Sequence, residues 1–364
     1  MKVTGLIVEY NPFHNGHIRH IKEAKKITNP DIMIAVTSGN FSQRGEVSII
    51  DKFEKTKAAL KNGIDLVVEL PYIYTVQNGN EFGKKAVEIL NSLKVNDIVF
   101  GSETNNLEEL TKMSSFNIKV DNLKEIMKTG ISYPKAYGLL TDSLYPNDML
   151  AVSYLKAISK TKIIPHTIKR TTNFNDTKIK KETSAKAIRL AIKNSKPYST
   201  STPLKIKEPH FTEELYPLLR HSLLTQNKIQ LNNIFLVNEG IENLLIKNAL
   251  KYDNYEDFIN NSVSYRYTRS RINRVCLHIL LNITKKEAKD SFKDKYIRVL
   301  GFNSKGQKYL KSLKKDNPNI ITQFKNINEN SKNIEWKASI LYSSIQNKPN
   351  NYLLKELKGP VIFK

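Results

Sequence analysis

The stretch Val3-Thr4-Gly5-Leu6-Ile7-Val8-Glu9-Tyr10-Asn11-Pro12-Phe13-His14-Asn15-Gly16-His17 admits few folds. Val3 to Val8 is a short apolar run, the pattern of a strand covered on both faces. Asn11-Pro12 stops it, because proline has no ladder N–H and restricts the residue before it. Asn15-Gly16 permits a tight turn, and His17 opens a helix with Ile18, Ile21 and Ala24 at helical spacing. A strand end therefore delivers two histidines and a glycine to a helix start. In an open α/β sheet ligands bind at such strand ends, and a helix N-terminus attracts phosphate.

The next hundred residues repeat the alternation. Strands are expected at Asp31–Thr37, Ile64–Leu70 and Asp97–Phe100, with helices at Phe53–Lys61 and Phe82–Leu93 between them. Such alternation means right-handed βαβ units and a parallel sheet. Polar or glycine-containing loops follow each strand at the edge where a ligand would lie: Ser38 to Glu46, Glu69 to Tyr72, and Gly101 to Glu103. Arg44 in the first loop suits a phosphate or a substrate carboxylate, or else a surface salt bridge. Gly101 suits close approach to a nucleotide, or an ordinary turn.

His14-Asn15-Gly16-His17 is the HxGH pattern of the nucleotidyltransferase superfamily. Attack on the α-phosphorus of a nucleoside triphosphate builds negative charge on the non-bridging oxygens. Two imidazoles can donate hydrogen bonds there without any protein nucleophile. The competing reading is that both rings merely cap the helix.

The strings GLIVEYNPFHNGH, SGNFSQRGE, DLVVELP and FGSE closely resemble the bacterial tRNA(Met) cytidine acetate ligase family, most strongly over residues 1 to 190. The resemblance implies an α/β, nucleotidyltransferase-like, Rossmann-type parallel sheet with a mainly helical C-terminal domain. It implies a ligase that converts acetate and ATP to acetyl-adenylate and then acetylates the wobble cytidine of elongator tRNA(Met) to N4-acetylcytidine. It places His14 and His17 in catalysis. It places Ile7, Val8, Glu9, Tyr10, Asn11, Pro12, Phe13, His14, Asn15, Gly16, His17, Ile18, Arg19, His20, Gly101, Asn147, Arg170 and Ser184 at ATP. Mg²⁺ is expected with the triphosphate, although no carboxylate cluster for it is visible and no metal ligands are assigned.

Two stretches depart from the family pattern, at Asp148 and Ala151 in one and at Lys186 in the other. Pro146-Asn147-Asp148-Met149-Leu150-Ala151 stands where the family carries PNNILG, so Asn147 is the better match and Asp148 the alternative. Asn147 also suits a helix N-cap. Lys162 to Ile168 reads as a fifth strand ending at Lys169-Arg170, with Pro165 an awkward member of it. Thr183-Ser184-Ala185-Lys186-Ala187-Ile188-Arg189 resembles the second nucleotidyltransferase signature, with Lys186 where the family has Thr. Ser184 is read as a phosphate contact or a simple helix cap, and Arg189 as a charge for the phosphates.

Residues 1–195 are expected to form the ATP-binding catalytic domain, with a helical insertion at 105–140, and 196–364 a basic, mainly helical tRNA-binding region. Asn194 to Lys207, rich in Ser, Pro and Lys, reads as the linker. The formal charge of +23 favours a polyanionic partner, against the plainer reading of a lysine- and asparagine-rich composition. Arg266, Arg269, Arg271 and Arg274, interleaved with Tyr265 and Tyr267, suit phosphate contact and base stacking, or else a solvated basic face. The single Cys276 excludes an internal disulfide and fits a reducing cytoplasm. Glu9 and Asn11 break any signal-peptide core, and no stretch reaches the roughly 18 to 20 apolar residues of a membrane span. A small-molecule adenylyltransferase of cofactor biosynthesis is the alternative function. It shares the HxGH core but needs no RNA-sized basic surface.

Overall fold

The computed structural model describes residues 1–115, 145–172 and 177–364. The chain runs β1 (Val3–Val8), α1 (Asn15–Thr28), β2 (Ile32–Ser38), α2 (Lys52–Lys61), β3 (Leu66–Leu70), α3 (Tyr72–Thr75), α4 (Gly79–Ser92), β4 (Asp97–Ser102), α5 (Leu107–Ser115), α6 (Pro146–Ile158), β5 (Ile164–Lys169) and α7 (Ala185–Lys193). Then come α8 (Tyr216–Thr225), α9 (Lys228–Asn232), α10 (Ile241–Lys251), α11 (Tyr255–Ser262), α12 (Arg269–Leu280), α13 (Lys285–Ser291), β6 (Ile297–Phe302), α14 (Ser304–Lys314), β7 (Ile320–Ile321), α15 (Glu329–Ser343), α16 (Pro349–Lys358) and β8 (Val361–Ile362). Of the expected insertion at 105–140, only α5 lies within the described residues.

The sheet order is β5-β4-β1-β2-β3-β6-β7, with β8 also on β6. β1 to β5 are mutually parallel, as the alternation predicts. The order reverses at β1, which has β2 on one side and β4 on the other. Strand side chains alternate between two cores. Ile7, Ile34, Val36 and Val68 pack under α4, α6 and α14. Leu6, Val8, Ala35 and Val67 pack under α1, α2 and α15. Both faces are covered, so each strand reads as an unbroken apolar run. Pro165 is tolerated because, among the described residues, β5 is the edge strand and pairs with β4 alone. A third core, from Tyr216, Leu219, Leu245, Phe258, Val275 and Cys276, holds α8, α10, α11 and α12 together.

The C-terminal half also completes the sheet. β6 runs antiparallel to β3, an addition that the alternation of the first half does not predict. It is pinned by buried charge. Lys52 Nζ of α2 donates to Glu69 and to Glu356 at 2.8 Å each, and Arg298 Nη1 of β6 donates to Glu69 at 3.1 Å and also to Glu356. Two cations and two carboxylates thus share one dry site and tie α16 to β3. Breaking such a pair from one side typically costs ~3–5 kcal/mol, because the remaining charge is stranded.

Candidate active site

α1 starts two residues before the position expected from the sequence, and the histidines are the reason. His14 is the N-cap, with extended backbone. Its Nδ1 accepts the Gly16 N–H at 3.0 Å. The His17 Nδ1 reaches back to accept the His14 N–H at 3.1 Å. Each ring thus satisfies one of the backbone donors that a helix start leaves without a partner. The rings lie 3.8 Å apart between centroids. A side chain on Gly16 would put its Cβ 2.8 Å from His14 Cε1, so the glycine makes room for the ring rather than supplying a left-handed turn.

The capping and catalytic readings of these histidines are compatible. Burial pushes the His14 pKa down to about 3, with Arg170 and Arg189 adding to the effect. His17 is also pushed well down, first by burial and then by the nearness of His14, His20 and Arg170. Both rings are neutral at physiological pH. With Nδ1 accepting, the single ring proton sits on Nε2. The helix start therefore carries two N–H donors in addition to its own positive dipole end.

The turn is gripped from several sides. Tyr10 takes the left-handed conformation (φ 51) and stacks its ring edge-on against Phe13 and His17, each 4.8 Å away. Ile7, Val8, Tyr10 and Phe13 are core side chains that hold the turn in place. Asn11 Oδ1 accepts the Ile49 N–H at 2.9 Å, and Arg189 Nη1 donates to the Asn11 carbonyl at 2.8 Å. Arg189 also pairs with Glu46 at 3.1 Å, so it braces the turn instead of pointing a spare charge at it. The segment expected to be a linker lies along the turn. Asn15 donates to the Ser201, Thr200 and Lys181 carbonyls, and Thr202 Oγ1 to the Phe13 carbonyl at 2.6 Å. Further along α1, Ile18 is half-buried, Arg19 donates to the Lys169 carbonyl, and His20 meets the Val99 carbonyl at 3.0 Å.

Opposite the turn, across the β1/β4 boundary, stand Gly101, Arg170 and Asn147. The Arg170 side chain packs along Gly101, where an added Cβ would touch its Cγ at 3.4 Å. Burial works against its charge, and Glu103 supports it. Asn147 is not the N-cap of α6. That place falls to Tyr145, whose side chain makes no capping bond. Glu103, from the end of β4, caps the helix instead, accepting the backbone N–H groups of Asn147 at 3.4 Å and Asp148 at 3.1 Å. Asp148 is fully buried and returns the favour to the Glu103 and Thr104 N–H groups. Ser184 caps α7, its Oγ accepting the Ala187 N–H at 3.0 Å.

Two neighbours of the site, Lys55 and Glu103, escape sequence reasoning, and so do the partners of a third, Glu9. Lys55 looks like the solvent face of an amphipathic helix, yet it is buried and donates to the carbonyls of Glu9, Ser38 and Gly39 at the ends of β1 and β2. Burial lowers its pKa to about 8, partly offset by Glu9 and other carboxylates. Glu9 is half-buried and accepts the Gln43 N–H at 2.6 Å, which fixes the loop that carries Arg44. Glu103 stands in a quoted string, but its partners 44 residues away give no local signal. Arg44 lies within electrostatic reach of Glu46, Glu9, Arg189 and Glu103. No group of three or more His, Cys, Asp or Glu among the described residues is placed to hold a metal ion.

The arginine string does not act as one surface. Arg266 is exposed. Arg269 is held by Glu256 at 2.9 Å and by Asn260 at 3.0 Å, and Arg271 by Glu239 at 3.1 Å. Arg274 turns inward, and its Nη1 donates to the Gln43 carbonyl at 3.2 Å. Beside it Gly45 (φ 74) lies so close to α12 that a Cβ would sit 2.5 Å from the Arg274 nitrogen. The middle of α12 is thus bolted to the loop that Glu9 anchors.

A family model described as HIGH nucleotidyl transferase matches residues 1–356. A tRNA(Met) cytidine acetate ligase of Thermoanaerobacter sp. is 38% identical, covering 94% of both chains. That of Fusobacterium nucleatum is also 38% identical, covering 90% of both. The chain belongs to the tRNA(Met) cytidine acetate ligase family. Its fold superposes on the crystal structure of Thermotoga maritima TmcAL bound with alpha-thio ATP, with a TM-score of 0.87 and 29% identity over the whole of both chains. The apo form of the same ligase gives 0.89. Family membership accounts for the HxGH turn at the sheet's reversal point and for the strand–helix order around it.

Proposed function

We propose that the chain joins acetate to a cytidine of elongator tRNA(Met) at the expense of ATP, in two steps at the β1/β4 boundary. An acetate oxygen attacks the α-phosphorus of ATP, the bond to the β-phosphate oxygen breaks, and pyrophosphate leaves. The mixed anhydride then meets the exocyclic N4 amine of the wobble cytidine. The amine attacks the acetyl carbon, AMP departs, and a proton is released. The first step concentrates charge on the α-phosphate oxygens, where His14 and His17 would each donate from Nε2. The second needs an activated acyl donor because N4 is a poor nucleophile, its lone pair being delocalised into the ring. Keeping both steps in one cleft protects the anhydride from water.

The observation that carries this reading is the reciprocal cap of His14 and His17, which leaves both Nε2 donors at a helix N-terminus. Arg170 supplies the facing cation, and Asn147 and Gly101 frame the nucleoside. Ser184 and the start of α7 lie on the phosphate side. Mg²⁺ would accompany the triphosphate and neutralise part of its charge, since no protein cluster among the described residues is placed to hold it. Residues 1–195 carry the ATP chemistry. Residues 196–364 carry the tRNA contacts, with Arg266 outermost, and lend β6 to the sheet. The site of action is the cytoplasm, where tRNA and ATP meet.

The deciding assay incubates the protein with ATP and labelled acetate, with and without unmodified tRNA(Met). Label in tRNA, with AMP and pyrophosphate released, is the expected result. Nucleotide transfer to a small molecule, independent of tRNA, would favour a cofactor adenylyltransferase and overturn the reading.

A further inference from the structure

The contact between β4 and α6 fixes more than a helix end. The Glu103 carboxylate accepts from the Asn147 side-chain Nδ2 at 2.5 Å, as well as from the backbone N–H groups of Asn147 and Asp148. A carboxylate only accepts, so the amide edge that meets it must be the NH₂ edge. The Asn147 amide is therefore not free to flip. Its Oδ1 is turned away from Glu103. Asp148, bonded to Ser102 Oγ and to two backbone N–H groups of the same loop, holds the two segments in register.

We propose that Glu103 is a positioning residue that makes Asn147 an acceptor-only reader of the nucleoside. The placement follows from the sheet. Glu103 and Asn147 lie at the carboxyl end of β4, on the far side of the order reversal from the histidines that face the phosphates. A nucleotide whose phosphates sit at α1 extends its nucleoside across this boundary. The Asn147 Oδ1 then accepts a hydrogen bond from a donor on that nucleoside, either the 6-amino group of adenine or a ribose hydroxyl. A base with a carbonyl at that place, or a sugar lacking the hydroxyl, leaves the oxygen unpaired or repelled. Sites built to bond one polar group reject analogues that lack it far more strongly than sites that only sense shape. The inference rests on the proposed ATP site.

The test compares kcat/KM for pyrophosphate release with ATP, ITP, 2′-deoxy-ATP and 3′-deoxy-ATP, using the full chain with acetate and tRNA. The native protein should prefer ATP over the analogue lacking the donor by roughly tenfold or more. In Asn147→Ala that ratio should collapse towards one, mainly through KM. In Glu103→Gln the new side-chain amide can donate to Asn147 Oδ1, which frees the flipped NH₂ to face the nucleoside. A lowered ratio with a rise in ITP use identifies the amine as the donor, and a lowered ratio confined to a deoxy analogue identifies that hydroxyl. Ratios equal in all three proteins overturn the inference, and Asn147→Ala alone decides the matter if Glu103→Gln does not fold. Pyrophosphate release by His17→Ala separates the two levels. If that variant turns over as fast as the native chain, the site reading fails. If it loses turnover while every ratio stays fixed, only the role of Glu103 and Asn147 falls.

Discussion

The histidine turn and the arginine string are both short, polar and conspicuous in the sequence, yet the fold treats them oppositely. In the turn, the His14 ring accepts the Gly16 N–H and the His17 ring the His14 N–H, all within one helical turn, so the spacing itself dictates the geometry. In the string, a helix of 3.6 residues per turn fans successive side chains around its axis. Arg269 meets a carboxylate on α11 and Arg271 one in the turn before α10, Arg274 goes under the loop at Gln43, and Arg266 precedes the helix. A pattern closed by local hydrogen bonds can be read as a unit. A pattern of like charges on a helix has to be read residue by residue, against whatever packs beside it.

The sharpest way to break this contrast is His17→Ala. It removes a cap and an Nε2 donor together, and should cut pyrophosphate release by ~10²–10³-fold, the typical loss for one preorganised donor to a transition-state oxyanion. Affinity for tRNA, measured by filter binding, should hold. A variant with native turnover would reduce the pair to its capping role.

Arg274→Ala should behave as a structural change despite its place in the basic string. It deletes the bond to the Gln43 carbonyl, while the backbone contact between α12 and Gly45 stays. A loss of ~1–3 kcal/mol in chemical denaturation is expected for a buried acceptor left unpaired. The salt dependence of tRNA binding should stay close to native. A clear drop in that salt slope without lost stability would put Arg274 back on the RNA face.

Acid titration probes the turn from another direction. His14, His17, His20 and His278 are buried with pKa values pushed below the ordinary 6.5, to about 3 for His14 and His278 and about 4 for His20. Such groups bind more protons unfolded than folded. Their contribution is complete above pH 6.5 and is lost as pH falls from there towards 3–4. Melting temperature should therefore decline below pH 6.5, while activity between pH 6.5 and 8 should show no ionisation of the histidine pair. An activity titration near 6.5 that disappears in His17→Ala would show a ring that is accessible and not locked.

The same contrast explains what was legible. β1 is found at Val3–Val8 as read, because a doubly covered strand shows as an unbroken apolar run. The parallel sheet follows from the alternation. The start of α1 was displaced because ring nitrogens, rather than the usual Ser, Thr, Asp or Asn, do the capping. β6 went unread although Ile297-Arg298-Val299-Leu300-Gly301-Phe302 is mostly apolar. Its arginine is paid for by Glu69 and Glu356, which lie far away in the chain. Ser201 and Thr202 looked like linker residues, and only the fold places them against the turn. In each case the missing information was a partner distant in sequence.

Arg266→Ala gives the smallest effect and the finest discrimination. Arg266 is exposed, so its removal should leave the melting temperature within about 1 °C, as for most surface substitutions. If it meets a phosphate, the plot of log affinity for tRNA against log salt should become shallower by about 0.7–0.9, one counter-ion's worth, with nearly equal weakening for any tRNA sequence. Arg269→Ala should give a smaller change than this, because leaving Glu256 costs its guanidinium an ion pair before it can meet RNA. Equal slopes for the native chain and both variants would mean that this string does not hold the RNA, and that the excess positive charge acts elsewhere on the surface.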